Sequence, residues 1–440
     1  MKNLNLRILL KTFWVANFAI ISFGWYTAHA ENLNSGLFPN LLISVGSLLG
    51  LVATFLILTQ FILISGARWM DSVWGLDRLA GSHRRNGKIL FFAIIGHFTL
   101  IVSGYTLQAN LGIDKFITTY LGLVTSAFYM LMAALAWYLI LVIVVTSIVM
   151  VRKRLPYEVW HTIHFLTYIA AALPVLHQLQ LGRTINIAWF AWYWIGLYVF
   201  SFGTLLYFKW IRPFWVYLQY RFVVDEVIPE ANGVVSIYIS GKNLDKFIYK
   251  AGQFAFWWFI SKELWWQPHP FTISSSPGDS RLRITVKAIG KGSAAVQQVQ
   301  PGTKLLIDGP YGRFTNVVQT HKKRLFIAGG IGVTPLASQL NSHSSIDDTL
   351  IYSARTMKDL ALRKELSQTQ ARLIAVLSEE KLEGTYNGYL SKNILTKEVK
   401  DLNQHDIWLC GPPPMMDGVE KMLLGMGVSQ NQIHTERFRL

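Results

Sequence analysis

Four histidines lie in long apolar stretches of the sequence, where an ionisable side chain is costly and needs a reason. His83 and His97 are fourteen residues apart in one stretch, and His164 and His177 are thirteen apart in another. At 1.5 Å per helical residue these separations are about 21 Å and about 20 Å. If both helices cross the membrane in the same direction, the imidazoles form two pairs at matching depths. This arrangement suits two stacked haem irons, each held by two histidines.

The alternative for any single histidine is a packing residue hydrogen-bonded to a neighbouring helix. His161 competes with His164 but fits a second pair with His177 less well, so we predict that it is a non-ligand near the inner surface. Thirteen residues do not return to the same face of a straight helix, and Pro174 is predicted to introduce a kink. His29 is expected in the first outer loop, without a special role.

Two glycine-rich segments have the chemistry of phosphate binding. The segment GKGS at 290–293 opens a predicted helix, whose free N–H groups bind a pyrophosphate well, although a plain turn is the alternative. The segment GGIGVTP at 329–335 directly follows a predicted strand. Its spacing matches the usual dinucleotide fingerprint only in part.

Two further segments lie at predicted strand ends. HPFTIS at 269–274 combines an aromatic ring with hydroxyl groups, but alone it is a weak signal, and a simple Pro-Phe turn is the alternative. CGPPPMM at 410–416 lies between a strand and a helix. The carboxyl ends of parallel strands are where α/β sheets bind ligands.

The elements that must position these residues follow from the composition. Of 440 residues, 52% are hydrophobic and only 15% are charged, whereas a soluble protein has about a quarter charged. The apolar excess lies between residues 9 and 210. It predicts six membrane-spanning helices, at 8–24, 40–65, 89–105, 121–151, 160–177 and 185–207.

The charges between the spans predict the orientation. Thirteen lysines and arginines fall in the N-terminal segment and alternate loops, against two, Lys115 and Arg183, on the opposite side. This asymmetry predicts that the N-terminus and the soluble half face the cytoplasm. The expected location is the bacterial inner membrane, with the chain as an integral membrane protein. The segment AHA at 28–30 also resembles a signal-peptide cleavage site, which leaves cleavage as an alternative.

Other classes of function are disfavoured by charge and cysteine content. The net charge of +16 does not indicate nucleic-acid binding, because many of the cations lie between apolar stretches and no binding motif accompanies them. Cys410 is the single cysteine, which excludes an intramolecular disulfide, a multi-cysteine iron–sulfur site and a thiolate zinc site.

The soluble half divides into two patterns. Short β-rich segments separated by Gly, Pro and Asn predict an antiparallel barrel, at 221–227, 233–240, 253–260, 281–287 and 304–308. Strand–helix alternation then predicts a parallel α/β sheet, with strands at 324–328, 349–353, 372–376 and 406–409. The predicted domains are 1–212, 213–318 and 319–440.

The four motifs, in this order behind six spans with paired histidines, resemble the NADPH oxidase and ferric reductase superfamily over essentially the whole chain. The resemblance implies a six-helix transmembrane bundle, an FAD-binding β-barrel and a ferredoxin-reductase-like NAD(P)H-binding domain, with two haem b groups on His83, His97, His164 and His177. It implies a flavin lined by His269, Pro270, Phe271 and Thr272, and a pyrophosphate on Gly290, Gly292 and Ser293. The implied nicotinamide-nucleotide contacts are Gly330, Gly332, Thr334, Pro335, Cys410, Gly411 and Pro412. Ser274, Lys287 and Gly329 adjoin these motifs and complete the cofactor-binding candidates.

Two further candidates lie outside the motifs. Arg355 follows a predicted strand, where its guanidinium could pair with a 2′-phosphate, which favours NADPH over NADH; an exposed surface arginine is the alternative. Phe438 resembles the closing aromatic of the family that covers the flavin, but Arg439 and Leu440 follow it, which departs from the family pattern. No residue is predicted to act as a proton-transfer catalyst.

The predicted function is electron transfer from cytoplasmic NAD(P)H through FAD and two haems to an acceptor on the outer face. Dioxygen, giving superoxide, is marginally favoured over a ferric chelate or a periplasmic protein, and a protein partner is not required. The alternative from a different class is a transporter with a degenerate nucleotide-sensing domain. A purified transporter would show no Soret band.

Overall fold

A computed structural model of the chain describes the backbone of residues 2–437, with the side chains of that range apart from 2–5, 149, 150 and 157. The chain forms two compact units. The first consists of Met1–Ala67 and Arg78–Tyr207, and the second of Arg68–Asp77 and Phe208–Leu440.

Twelve helices cover the first half of the described chain. They are α1 Lys2–Asn34, α2 Phe38–Ile64, α3 Arg68–Trp74, α4 Leu76–Gln108, α5 Phe116–Ser126, α6 Phe128–Ser147, α7 Val149–Arg152, α8 Tyr157–Phe165, α9 Thr167–Ala172, α10 Val175–Leu181, α11 Ala188–Leu206 and α12 Arg212–Tyr220. Within the described residues, six helical segments are long and apolar enough to cross a membrane, which confirms the predicted number of spans.

The predicted fifth span is a broken helix rather than a continuous one. It consists of α8, α9 and α10, with Leu166 between the first two and Pro174 as the N-cap of the third. A proline cannot donate the backbone hydrogen bond that would continue the preceding helix. The interruption at Pro174 that the histidine spacing predicted is therefore present.

The first helix extends further than the sequence pattern indicated. Because α1 continues to Asn34, His29 lies within a helix and is only 2% exposed. The prediction that His29 belongs to an outer loop is wrong. Polar residues around 28–34 lower the local hydropathy, so the apolar pattern ends before the helix does.

Helices α2 and α4 approach each other closely through glycines. A Cβ at Gly46 would lie 3.0 Å from the Ile101 side chain, and a Cβ at Gly104 would lie 2.6 Å from the Ile43 side chain. Small residues at helix contacts let two backbones come together in a membrane. This contact brings α2 beside the histidines of α4.

The second unit begins with two three-stranded antiparallel sheets, ordered β1-β2-β5 and β4-β3-β6. The strands are β1 Val223–Ala231, β2 Val234–Ser240, β3 Phe254–Phe259, β4 His269–Thr272, β5 Leu282–Lys287 and β6 Leu305–Tyr311, with helix α13 Lys291–Val296 after β5. One bridge, between Val223 and Lys304, links the two sheets. They enclose a single apolar core that includes Phe222, Trp257 and Phe259.

The remainder of the second unit is a six-stranded parallel sheet, ordered β10-β9-β8-β7-β11-β12. Its strands are β7 Lys323–Gly329, β8 Thr349–Ala354, β9 Arg372–Leu377, β10 Tyr386–Asn387, β11 His405–Cys410 and β12 Ile433–Glu436, and its helices are α14 Val333–Ser342, α15 Arg363–Leu366, α16 Lys392–Glu398 and α17 Pro413–Gly425. The predicted parallel α/β arrangement is confirmed. The strand order reverses between β7 and β11, which is the position where such sheets bind ligands.

The short segment Arg68–Asp77 belongs to the second unit, although it lies between two spans in the sequence. The Arg68 guanidinium donates to the carbonyl of Gly309 at 2.8 Å, and the Gly312 N–H donates to the carboxylate of Asp71 at 3.2 Å. The Arg313 guanidinium donates to the carbonyl of Val73 at 2.9 Å. These bonds hold α3 against the end of β6.

Candidate cofactor-binding sites

The four predicted ligand histidines lie in two pairs, with the two rings of each pair inclined at 66° and 63° respectively. The ring centres of His83 and His164 are 6.1 Å apart, and those of His97 and His177 are 6.4 Å apart. A metal–imidazole bond is about 2.0 Å long. Two such bonds in line, with the distance from each nitrogen to its ring centre, span about 6 Å. Each pair is therefore spaced to hold one metal ion between its rings.

Hydrogen bonds to the backbone and to a hydroxyl orient one ring of each pair. Nδ1 of His97 lies 2.8 Å from the carbonyl oxygen of Gly46, and Nδ1 of His164 lies 3.3 Å from the hydroxyl of Ser147. A hydrogen bond at Nδ1 leaves Nε2 to bind a metal and fixes the orientation of the ring. In His83 and His177, Nδ1 is buried and has no hydrogen-bond partner among the described residues.

Gly50 makes room for the His97 ring. A Cβ at Gly50 would lie 2.7 Å from Nδ1 and 2.8 Å from Cε1 of His97, which is too close for any larger residue. The sequence analysis missed Gly46, Gly50 and Ser147. The four-residue spacing of the two glycines on an apolar helix was the available signal, because it marks a helix contact.

The surface beside the broken span is apolar. A cavity of about 430 Å³ is lined by Phe128 and Met132 of α6 and by five residues of α9, α10 and the residue between them, Tyr168, Ile169, Ala172, Leu173 and Leu176. These last residues lie between His164 and His177 along the chain. His161 packs against Phe165 at 6.0 Å, outside both histidine pairs. The separations within the two histidine pairs fit two bis-imidazole haem groups.

The HPFT motif and the GKGS turn meet in the antiparallel part of the second unit. The His269 ring is buried at the start of β4, and a Cβ at Gly292 would lie 2.8 Å from its Cε1. Nε2 of His269 has no hydrogen-bond partner in the described chain. Phe271 stacks with this ring at 6.2 Å. A buried imidazole nitrogen without a partner, beside a glycine turn, fits a polar group of a bound flavin nucleotide.

The other predicted flavin-site residues lie in the same turn and in the neighbouring strands. The Ser293 hydroxyl accepts from the N–H groups of Gly290 and Ile289, at 3.0 Å and 2.9 Å, and so stabilises the turn from within. Ser274 is fully buried, and its hydroxyl lies 2.9 Å from that of Thr285. Pro270, Thr272 and Lys287 lie in or at the end of the neighbouring strands.

The two glycine turns of the parallel sheet interlock at the carboxyl ends of β7 and β11. Gly330 has a φ of +53°, which favours glycine. A Cβ at Gly332 would lie 2.4 Å from the carbonyl oxygen of Cys410, and one at Gly329 would lie 2.8 Å from the ring of Pro412. Gly411, Thr334 and Pro335 complete this edge. The structure therefore brings all the predicted nucleotide-turn residues together.

A buried thiol and a carboxyl group lie beside these turns. Cys410 is fully buried, and burial raises the pKa of its thiol well above the usual value, so the thiol stays protonated. Glu436 of β12 is paired in register with Cys410. Burial, together with the charges of Asp77 and Asp71, raises the pKa of Glu436 to about 8. The sequence analysis did not identify Glu436, because no motif marks it.

Two further candidates are Arg355 and Phe438. The Arg355 side chain is 77% exposed and lies 3.6 Å from the Glu379 carboxylate, so its guanidinium is accessible at the end of β8. Phe438 lies outside the described residues.

Three family models match successive parts of the chain. Residues 49–175 match the ferric reductase like transmembrane component, residues 225–315 match an FAD-binding domain, and residues 326–421 match an oxidoreductase NAD-binding domain.

Curated relatives match the soluble half. The glycine betaine monooxygenase reductase subunit of Pseudomonas aeruginosa (strain UCBPP-PA14) is 30% identical over 212 residues, which are 44% of this chain and 57% of the relative. The NADH oxidoreductase HCR of Escherichia coli (strain K12) is 31% identical over 195 residues, which are 42% of this chain and 59% of the relative. The chain thus spans less than two thirds of the length of these relatives.

Two solved structures are also similar. The flavohem-like FAD/NAD-binding domain of nitric oxide dioxygenase from Vibrio cholerae has 23% identity and a TM-score of 0.43, over 49% of this chain and 97% of that domain. A ferredoxin NADP+ reductase from Neisseria gonorrhoeae has 19% identity and a TM-score of 0.44, over 50% of this chain and 98% of that protein.

Proposed function

Because three matched domains place this chain in the NADPH oxidase and ferric reductase superfamily, we propose that it carries electrons across a membrane, from NAD(P)H through FAD and two haem b groups. The chain is an NAD(P)H-dependent oxidoreductase with six candidate membrane-spanning helices. The observation that carries the haem part of the proposal is the pair of imidazole separations, 6.1 Å and 6.4 Å.

The bound groups supply hydride acceptance at a flavin and one-electron chemistry at two irons. The chain's own residues bind and orient them. His83 with His164, and His97 with His177, would each hold one iron through two imidazoles. Both ligands of each iron would thus come from the chain's own imidazoles.

The soluble unit would bind the two nucleotides at separate turns. The GKGS turn and His269 would hold FAD, and the interlocked turns of β7 and β11 would hold the nicotinamide nucleotide. The protonated Cys410 thiol beside the second turn adds no negative charge to that site. Arg355 would bind a 2′-phosphate, which favours NADPH.

The acceptor on the outer face is proposed to be dioxygen, which would be reduced to superoxide. The membrane is proposed to be a bacterial inner membrane, with the soluble unit in the cytoplasm. A ferric chelate is the alternative small molecule. Electron delivery to an external protein is a second candidate, because a matched relative is itself named a reductase subunit.

Purified chain in nanodiscs tests the proposal. We expect two haems and one FAD for each chain, a Soret band that NADPH shifts under anaerobic conditions only when FAD is bound, and lower haem content in His97→Ala and in His164→Ala. Superoxide and ferrous iron, measured in parallel, identify the acceptor. A colourless protein after expression with ample haem would contradict the proposal and favour the transporter alternative.

A further inference from the structure

We propose that α12 and the turn before it lie in the headgroup layer of the membrane and attach the FAD-binding part of the chain to the lipid surface. This inference is independent of the cofactors and of the acceptor. It concerns residues 210–220, which the electron-transfer proposal does not use.

The outward face of this segment is unusually apolar for a soluble unit. Trp210, Phe214 and Trp215 are 64%, 54% and 64% exposed, and Ile211 is 37% exposed. Positions four apart share one helix face, so these side chains form a single stripe. Tryptophan is enriched where lipid meets water, because its ring is apolar and its N–H can remain hydrated.

The opposite face of α12 is fixed to the FAD-binding sheets. The Arg212 guanidinium donates to the carbonyl of Gly309 at 2.5 Å and lies 3.5 Å from the Asp308 carboxylate. Tyr220 is buried in the core of the sheets, and Val216 packs against that core. The helix therefore cannot rotate its aromatic stripe inward without breaking these contacts.

The stripe belongs to the end of an apolar helical run that is long enough to cross a membrane. The apolar helical run Ala188–Tyr220 contains 33 residues, which is about 50 Å of helix. A hydrocarbon core is about 30 Å thick. Because the run exceeds this thickness, its last turns extend into or beyond the headgroup layer.

Cations at the end of α12 carry the charge opposite to that of an anionic lipid surface. Arg221 ends the helix with a left-handed backbone, at a φ of +49°, and is exposed. The exposed residues Lys242 and Lys246 adjoin it, because the Lys242 N–H donates to the carbonyl of Tyr220 and the Tyr220 hydroxyl donates to the carbonyl of Lys246. An aromatic stripe next to basic residues is typical of helices that bind anionic lipid headgroups.

A spin label measures whether lipid covers the stripe. Cys410 is fully buried, so a cysteine introduced by Trp215→Cys is the accessible labelling site. The matched control is Ile346→Cys, at an exposed apolar position between α14 and β8 that is 86% exposed. Both variants would be labelled in nanodiscs of equal phosphatidylcholine and phosphatidylglycerol, after confirming that their FAD content and haem absorbance equal those of the parent chain.

For each label, the measured quantity is the ratio of its collision rate with oxygen to its collision rate with a water-soluble nickel chelate. We expect this ratio to be severalfold higher for the label at 215 than for the label at 346. Equal ratios at the two positions would overturn the proposal. Dipolar coupling between labels at 215 in two chains would also overturn it, because a second copy would then cover the stripe. If Trp215→Cys lowers the cofactor content, Phe214→Cys provides the same measurement from the same face.

Discussion

Replacement of Gly50 by alanine tests the link between helix packing and haem binding most directly. The added methyl carbon would lie 2.7 Å from Nδ1 of His97, whereas ordinary contacts begin at 3.4 Å. The imidazole must therefore move by about 0.7 Å. The same movement stretches the 2.8 Å contact between Nδ1 and the carbonyl of Gly46 towards 3.5 Å, beyond a normal hydrogen bond.

The expected cost follows from these two effects. Overpacking in a close-packed interior costs about 1–3 kcal/mol, and loss of the hydrogen bond adds about 1 kcal/mol. Since 1.4 kcal/mol is a factor of ten in affinity, Gly50→Ala should weaken haem binding at the His97–His177 pair by roughly 30-fold or more. The pair of His83 and His164 should be unaffected.

The assay is haem content for each chain, with a potentiometric titration of the haem absorbance. We expect the stoichiometry to fall from two towards one, and one of two midpoint potentials to disappear. Gly196→Ala is the matched control, because a Cβ at this membrane-helix position meets nothing within 4 Å. If Gly50→Ala is folded and retains both haems with unchanged potentials, His97 does not hold a haem in the manner described.

Three further changes probe the other sites. Ser147→Ala removes the hydroxyl beside Nδ1 of His164 and should shift the midpoint potential of one haem while both haems remain bound; an unchanged redox titration would contradict this role. Because burial and two neighbouring carboxylates raise the pKa of Glu436 from 4.5 to about 8, its contribution to stability is complete below pH 4.5 and is lost as the pH rises through 8. The temperature of FAD release should therefore fall between pH 5 and pH 8, and Glu436→Gln should flatten that slope; equal slopes in the two proteins would refute the assignment. Arg355→Ser should raise the KM for NADPH about tenfold and leave that for NADH unchanged, and steady-state kinetics that show equal changes for both nucleotides would exclude recognition of the 2′-phosphate by Arg355.

Local patterns were sufficient to predict the number of spans and the two sheet types, but not helix α12 or the end of the first helix. The length of each apolar stretch predicts a helix that can cross a bilayer, because the membrane thickness sets the number of residues required. Alternating β-rich segments and strand–helix repeats likewise predicted the two sheet types. The order of the four motifs was enough to indicate the superfamily.

Contacts between distant segments required the tertiary structure. Spacing along the chain placed four histidines at two depths, but it could not show that their ring centres lie 6.1 Å and 6.4 Å apart in two pairs. Nor could it show that Gly46 and Gly50 of another helix border His97. Such distances depend on how closely two helices pack, and that is decided by side chains from both.

The same distinction applies to the soluble unit and to the first helix. The turns around Gly332 and Cys410 meet because β7 and β11 pair side by side although about eighty residues separate them, and parallel pairing of distant strands has no local signature. His29 was placed in a loop because polar neighbours obscured a helix that tertiary packing sustains. The sequence by itself therefore determined most of the elements and the chemistry of their residues, and packing between distant segments decided which groups meet.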